Sequence, residues 1–310
     1  MQRQNGAVVN SFVQRCLIGC CVLSLSTEAS ATSLPDLPAA ANWAIHLDAD
    51  RLRETAQGKS VLAQLDEGAA AHDLHALNAV SRFELGSNLQ SLTLLGVNDS
   101  GTHALVQVKG RFNRKAVLAK MRSNSGYKAL GYKGHAVHRW KAAFNGANKH
   151  VYGAFTGKDM LWITLSDKMI KTSLEELILS PQTASTDSPL VLPVLSGATF
   201  LCGVARPTAF ALGSIGGGAF NQVDEARLTL GHKNDHADGT LTIDAGSPET
   251  ALQLKTVAQG MIVVAKVGRQ RNPHLANFAQ TLVVTTKRQQ VNITTSALIS
   301  DQLAWWRHSK

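Results

Sequence analysis

The sequence predicts an α+β protein of two tandem modules, each a mostly antiparallel sheet covered on one face by helices. Three observations carry this. Leu92-Thr-Leu-Leu-Gly-Val-Asn-Asp99 aligns without a gap on Leu228-Thr-Leu-Gly-His-Lys-Asn-Asp235, and both are followed by Gly-Thr, a second strand and a helix. Ala226, Leu228 and Leu230 alternate with Glu225, Arg227 and Thr229, the period of two of a half-buried antiparallel strand. Between Pro248 and Val267, Ala251, Leu254, Ala258, Met261, Ile262 and Ala265 recur at three- and four-residue steps, forming one apolar stripe on a helix.

Taken in order, residues 1–31 read as an export signal. Arg3 and Arg15 precede the apolar run Cys16–Leu25, and Ala29-Ser30-Ala31 has the small-x-small pattern of a cleavage site, so the mature chain begins near Thr32. The run is too short to span a bilayer, which takes about 20 apolar residues. Leu17-Ile-Gly-Cys20 competes as a lipoprotein box with Cys20 acylated. Against it, the chain between Arg15 and Cys20 is shorter than the apolar core of about 7–15 residues that a signal carries. Plain cleavage, marked by Ala29 and Ala31, is the favoured reading.

Residues 32–41 form a disordered lead-in, and 42–180 the first module. It opens with a strand, Trp43–Leu47, followed by a helix through Leu52, Val61, Leu62 and Leu65 capped by Asp48 or Asp50. A second helical stretch at 73–83 precedes the hairpin containing Leu92–Asp99 and His103–Lys109. Tyr127–Trp140 and His150–Leu165 read as strands, and Asp167 starts a helix bearing Met169, Ile170, Leu174, Leu177 and Ile178. Residues 181–195 are a Pro/Ser/Thr linker. The second module, 196–310, opens with Phe200–Val204 and compresses the next region into 207–222, with Gly216-Gly217-Gly218. Its long helix has Ser247 as N-cap, Pro248 in the first position and Gly268 as stop. A short helix from Pro273, a hairpin across Lys287–Gln290 and a closing helix from about Leu298 to Trp306 complete it.

The formal charge of +9 comes from 31 basic and 22 acidic residues. Cleavage removes Arg3, Arg15 and Glu28 and leaves about +8. The basic residues are scattered, in small groups such as Arg269/Arg271 and Lys287/Arg288, and no aromatic-basic nucleic-acid module occurs, which argues against specific nucleic-acid binding. A positive surface of this kind attracts polyanions, so the expected partner is an envelope protein or an envelope polyanion. Cys202 is the one cysteine left after cleavage. It makes no internal disulfide and, within an apolar strand, acts as a small hydrophobe.

The usual chemical signatures fail. Gln57-Gly-Lys-Ser60 lacks the earlier glycine of a phosphate loop, which is Arg53 here, and Gly213–Gly218 lacks the dinucleotide spacing. No Gly-x-Ser-x-Gly elbow occurs. Glu175-Glu176 and Asp224-Glu225 are adjacent pairs; on a helix, neighbours diverge and do not share a substrate. Histidine gives the strongest lead. His72 and His75, with Asp73 between, supply too few metal donors, while His232, Asp235, His236 and Asp238 crowd one hairpin loop and are the candidate metal ligands. Solvated surface histidine is the simpler reading of both, and no cofactor is expected. Trp305-Trp306 is a candidate partner-docking patch.

The strand end His46-Leu-Asp48, the pair Gly58-Lys59, Val108-Lys-Gly-Arg-Phe112 before a helix and Tyr132-Lys-Gly-His-Ala-Val-His138 resemble uncharacterised secreted bacterial proteins with tandem α+β modules. The resemblance implies the fold and the export, and no activity. The expected function is an exported, non-enzymatic binding or structural protein of the bacterial envelope. The alternative is a hydrolase or metal-dependent enzyme with a site between the modules, drawing on His46, Asp48 and the 232–238 loop.

Overall fold

A computed structural model describes residues 37, 41–55, 58–59, 62, 85–96, 104–144, 147–175, 190–206, 222–233, 236–267 and 273–298. Twelve strands run in chain order as β1 (Trp43–Asp48), β2 (Leu89–Gly96), β3 (Ala104–Gly110), β4 (Lys128–Tyr132), β5 (His135–Phe144), β6 (Ala147–Thr156), β7 (Met160–Thr164), β8 (Thr199–Ala205), β9 (Glu225–Lys233), β10 (His236–Asp244), β11 (Val283–Lys287) and β12 (Gln290–Leu298). The helices are α1 (Ala49–Arg53), α2 (Leu85–Asn88), α3 (Arg114–Ser123), α4 (Asp167–Leu174), α5 (Pro248–Val267) and α6 (Pro273–Thr281).

In place of the two sheets that the sequence predicts, the described strands form one. Its order is β11-β12-β10-β9-β8-β1-β2-β3-β7-β6-β5-β4, and every neighbouring pair is antiparallel. The opening strands of the two halves, β1 and β8, pair with each other, from Trp43 opposite Ala205 to Leu47 opposite Leu201. The physical reason lies in their composition. All six residues of β1 and six of the seven in β8 are buried, so neither strand has a wet face or an edge fit to meet water. Joining the halves gives both strands neighbours on both sides. Outward from this seam the orders run β1-β2-β3-β7-β6-β5-β4 and β8-β9-β10-β12-β11.

Helices also cover the sheet differently from the expectation of one face. Ile45, Leu47, Leu94, Val108 and Ile163 point to one side, where Leu52 of α1 and Val117 and Met121 of α3 complete a core. Ala251 and Leu254 of α5 pack with Val291, Ile243 and Ile293 on the same side, because Ile243 shares its strand parity with Ala237 of that core. Ala44, Leu95, Leu105, Trp162 and Val204 point the other way, onto Met169, Ile170 and Leu174 of α4. Leu190, Leu192 and Leu195, in the stretch that reads as a linker, are buried in that second core.

Local signals place the helices. Asn113 Oδ1 accepts from the Ala116 N–H at 3.2 Å and caps α3; Ser166 Oγ accepts from the Met169 N–H at 3.2 Å and caps α4. Ser247 Oγ accepts from the Thr250 N–H at 3.1 Å at the start of α5, whose bounds match those read from Ser247, Pro248 and Gly268. The segments Tyr127–Trp140 and His150–Leu165 resolve into four strands rather than two. Lys133 and Gly134 turn the chain with φ of 45° and 82°, and Gly157 turns it again at 71°. That pair of positive φ values is the two-residue hairpin turn, in which glycine sits without strain. Among the described residues, no helix is long and apolar enough to cross a membrane.

Candidate functional site

The polar groups nearest to a constellation lie on the sheet face opposite α1 and α3. Alternation along β1 sends Trp43, Ile45 and Leu47 to one core and leaves Ala44, His46 and Asp48 on the other face. His46 stands directly opposite Cys202 of β8 and Thr93 of β2; Thr93 is opposite Gln107 of β3, and Gln107 opposite Trp162 of β7. A row Cys202–His46–Thr93–Gln107–Trp162 therefore crosses five strands, and every member is buried. His46 Nδ1 and Thr93 Oγ1 share a hydrogen bond of 2.8 Å. His46 Nε2, Gln107 Oε1 and Trp162 Nε1 have no hydrogen-bond partner among the described residues.

The electrostatics of the row work against acid–base or nucleophilic chemistry. Burial lowers the His46 pKa to about 4, with Lys109 acting in the same sense and Asp48 against it. The ring is neutral at pH 7. Burial, helped by Asp48, pushes the Cys202 thiol up to about 12, so it stays protonated and does not act as a nucleophile. Cys202 is the buried small hydrophobe that its sequence context implies.

Asp48 is committed to structure. Its Oδ1 accepts from the Arg51 N–H at 3.0 Å, capping α1, and its Oδ2 lies 3.3 Å from Arg51 Nε. Arg51 is itself buried, and its Nη1 donates to the Gly197 carbonyl at 2.9 Å and the Thr199 carbonyl at 3.1 Å. The pair thus fastens the end of β1 to the start of β8, across the seam between the two halves of the sheet.

The hairpin candidates are split. His232 of β9 is buried on the helix-covered side and stacks on Phe200, with ring centroids 6.5 Å apart; burial holds its pKa below the ordinary value. It is opposite Ala237, so His236 and Asp238, one residue to either side, project from the other face of β10. Asp235 lies outside the described residues, as do His72, His75, Trp305, Trp306, Cys20, Ala29 and Ala31. Among the described residues, no three His, Cys, Asp or Glu side chains gather in a way that could hold a metal ion. His46 and Asp48 do not meet His232 either: they sit on opposite faces of the sheet.

The buried row escapes a reading of the sequence because it is made of cross-strand neighbours. Alternation assigns His46, Thr93 and Gln107 to faces, but only the register of β1, β2 and β3 puts them side by side. A histidine and an aspartate inside the apolar run Trp43–Asp48 were the available signal.

No protein-family model matches the chain, and no curated protein matches it. Solved structures of the treponemal protein TP0453 are similar to it. Crystal form III aligns at a TM-score of 0.47 with 9% identity, over 90% of this chain and 99% of that one. Crystal form I gives 0.46 and 10% identity over 90% and 98%, and crystal form IV gives 0.43 and 8% over 89% and 98%.

Proposed function

We propose that this chain is an exported, non-enzymatic binding or structural protein of the bacterial envelope. The observation behind the reading is that, among the described residues, the row through His46 and its flanking Asp48 are engaged inside the sheet. His46 is neutral and buried, Cys202 is a buried thiol, and Asp48 is held by Arg51. Interaction then falls to the surface, and a chain of formal charge +9 favours envelope polyanions or an acidic partner protein there. The export reading rests on the leader before Thr32.

We further read the halves 42–180 and 196–310 as two copies of one plan joined through 181–195. Each half opens with a strand of the seam, adds two more strands outward, inserts a helix and returns to pair with its third strand. The described parts of the matching segments, 92–96 and 228–233, fall on β2 and β9, the second strand of each half.

Cell fractionation with intact-mass measurement tests the function. Expression of the full chain in a bacterial host is expected to give a periplasmic or secreted product beginning at Thr32. An intact chain retained in the cytoplasm would contradict the proposal. Palmitate incorporation at Cys20 would replace plain cleavage with a lipid anchor.

A further inference from the structure

Register gathers cations that the sequence scatters. Lys128 of β4 is directly opposite Arg139 of β5, and Lys141, two residues on, is opposite His150 of β6. Val137 shares the strand parity of Arg139 and Lys141 and is buried in the core beneath α4, so all four side chains take that face of the sheet. Cross-strand neighbours of this kind stand about 5 Å apart, and Arg139 and Lys141 about 7 Å. Lys128, Lys141 and His150 are exposed, and Arg139 is half-buried. No carboxylate answers them. From residue 104 to 158 the chain has 12 Lys and Arg and no Asp or Glu, so β3 to β6 cannot neutralise the cluster from within. Of the carboxylates of α4 and its cap, on the same face, Asp167 is held by Lys171 at 2.6 Å, and Glu175 by Lys133 and the Tyr132 hydroxyl. Among the described residues, no ion pair or side-chain hydrogen bond reaches any of the four, and the buried Nε of Arg139 has no partner. Like charges set directly opposite one another destabilise a sheet, and an anion that joins them offsets that repulsion.

We propose that Lys128, Arg139, Lys141 and His150 form a binding patch for a linear phosphate polymer. Arg139 brings a planar fork that matches phosphate oxygens, and the two lysines bring point charges. The cluster extends over three strands, so successive anionic groups of one chain meet separate cations, which a single anion does not. An acidic peptide is the poorer occupant. Each Asp or Glu gives up side-chain freedom to reach the patch, whereas a phosphate polymer carries its charges in its own backbone. Bases of a nucleic acid find no stacking platform, because Tyr132 and Tyr152 of the same face are packed against the core.

The patch gives a place and a chemistry to the polyanion partner named above, and rests on that reading for where the polymer is met; its binding does not. Fluorescence anisotropy with end-labelled long-chain polyphosphate reads binding to the full chain and to two charge-matched variants. Lys128→Gln/Arg139→Gln/Lys141→Gln removes the patch, and Lys115→Gln/Lys120→Gln/Arg122→Gln removes three exposed cations from α3, on the opposite face. The patch variant is expected to bind about tenfold more weakly, with a shallower salt dependence, and the α3 variant within about twofold of the parent. Lys128→Gln/Lys141→Gln, both at exposed positions, is expected to lose about fivefold and carries the test where loss of the half-buried Arg139 disturbs the fold. Orthophosphate is expected to compete about 100-fold less well than polyphosphate at equal phosphate concentration, since it does not bridge the cations. Equal losses in the two triple variants would reduce the effect to net charge and overturn the proposal. So would a parent that does not bind, equal competition by orthophosphate, or tighter binding of polyglutamate or single-stranded DNA than of polyphosphate. Failure here would leave the export result, read by fractionation, standing.

Discussion

Arg51→Ala is expected to lower the stability of the folded chain by about 3–5 kcal/mol, the usual cost of removing one partner from a buried ion pair. The guanidinium is buried with the Asp48 carboxylate and makes both side-chain bonds to the carbonyls of Gly197 and Thr199. Removing it takes the guanidinium from a buried carboxylate, which keeps its bond from the backbone N–H of residue 51, and leaves the start of β8 unfastened from α1. Adding Asp48→Ala in the same chain is expected to cost less than the sum of the two single changes, because the carboxylate that lost its guanidinium goes with it. Denaturant unfolding of the two single variants and the double variant measures this. A loss below about 1 kcal/mol for Arg51→Ala would mean that the seam does not depend on the pair.

Stability is also expected to fall as the pH is lowered through the range set by His46. Its pKa is about 4 in the folded chain against an ordinary 6.5, so between those values the unfolded chain binds more protons. Stability therefore rises with pH in that window; the full contribution is present above pH 6.5 and lost as pH drops towards 4. The gap corresponds to about 3 kcal/mol. His138 and His232, both lowered chiefly by burial, act in the same direction. His46→Gln is expected to flatten the dependence between pH 4 and 6.5 while costing some stability at neutral pH. Thermal melts at several pH values read the slope, and an unchanged slope in the variant would contradict the assignment to His46.

Much of the secondary structure is legible because its signals are local. Ser247, Pro248 and Gly268 bound α5 within the chain itself, and the alternation of Ala226, Leu228 and Leu230 marks β9 as one side of an antiparallel ladder. The turn at Lys133–Gly134 was equally local, in a Lys-Gly dipeptide that breaks the long run Tyr127–Trp140 into β4 and β5. What the sequence hides is partner choice. Periodicity states which face a residue takes but not which strand lies beside it, so the pairing of Ile45 with Gly203, and hence the joining of the halves, has no local signature. Nor does the stripe on α5 reveal where the helix outruns its support. Ala251, Leu254 and Met261 share a helical period, yet Ala251 and Leu254 are buried and Met261 is exposed. The row through His46 is hidden for the same reason as the seam.

Amide hydrogen exchange, read by mass spectrometry on peptides covering 43–48 and 199–205, tests most directly whether one sheet runs through both halves. These strands lie in the middle of the twelve-stranded order, with β11 and β4 at its edges. Exchange at the seam is expected to be among the slowest in the chain and to occur only with global unfolding, well after the edge strands. Exchange at 43–48 and 199–205 as early as at β4 and β11 would contradict the shared sheet, and with it the sealing of His46 and Cys202.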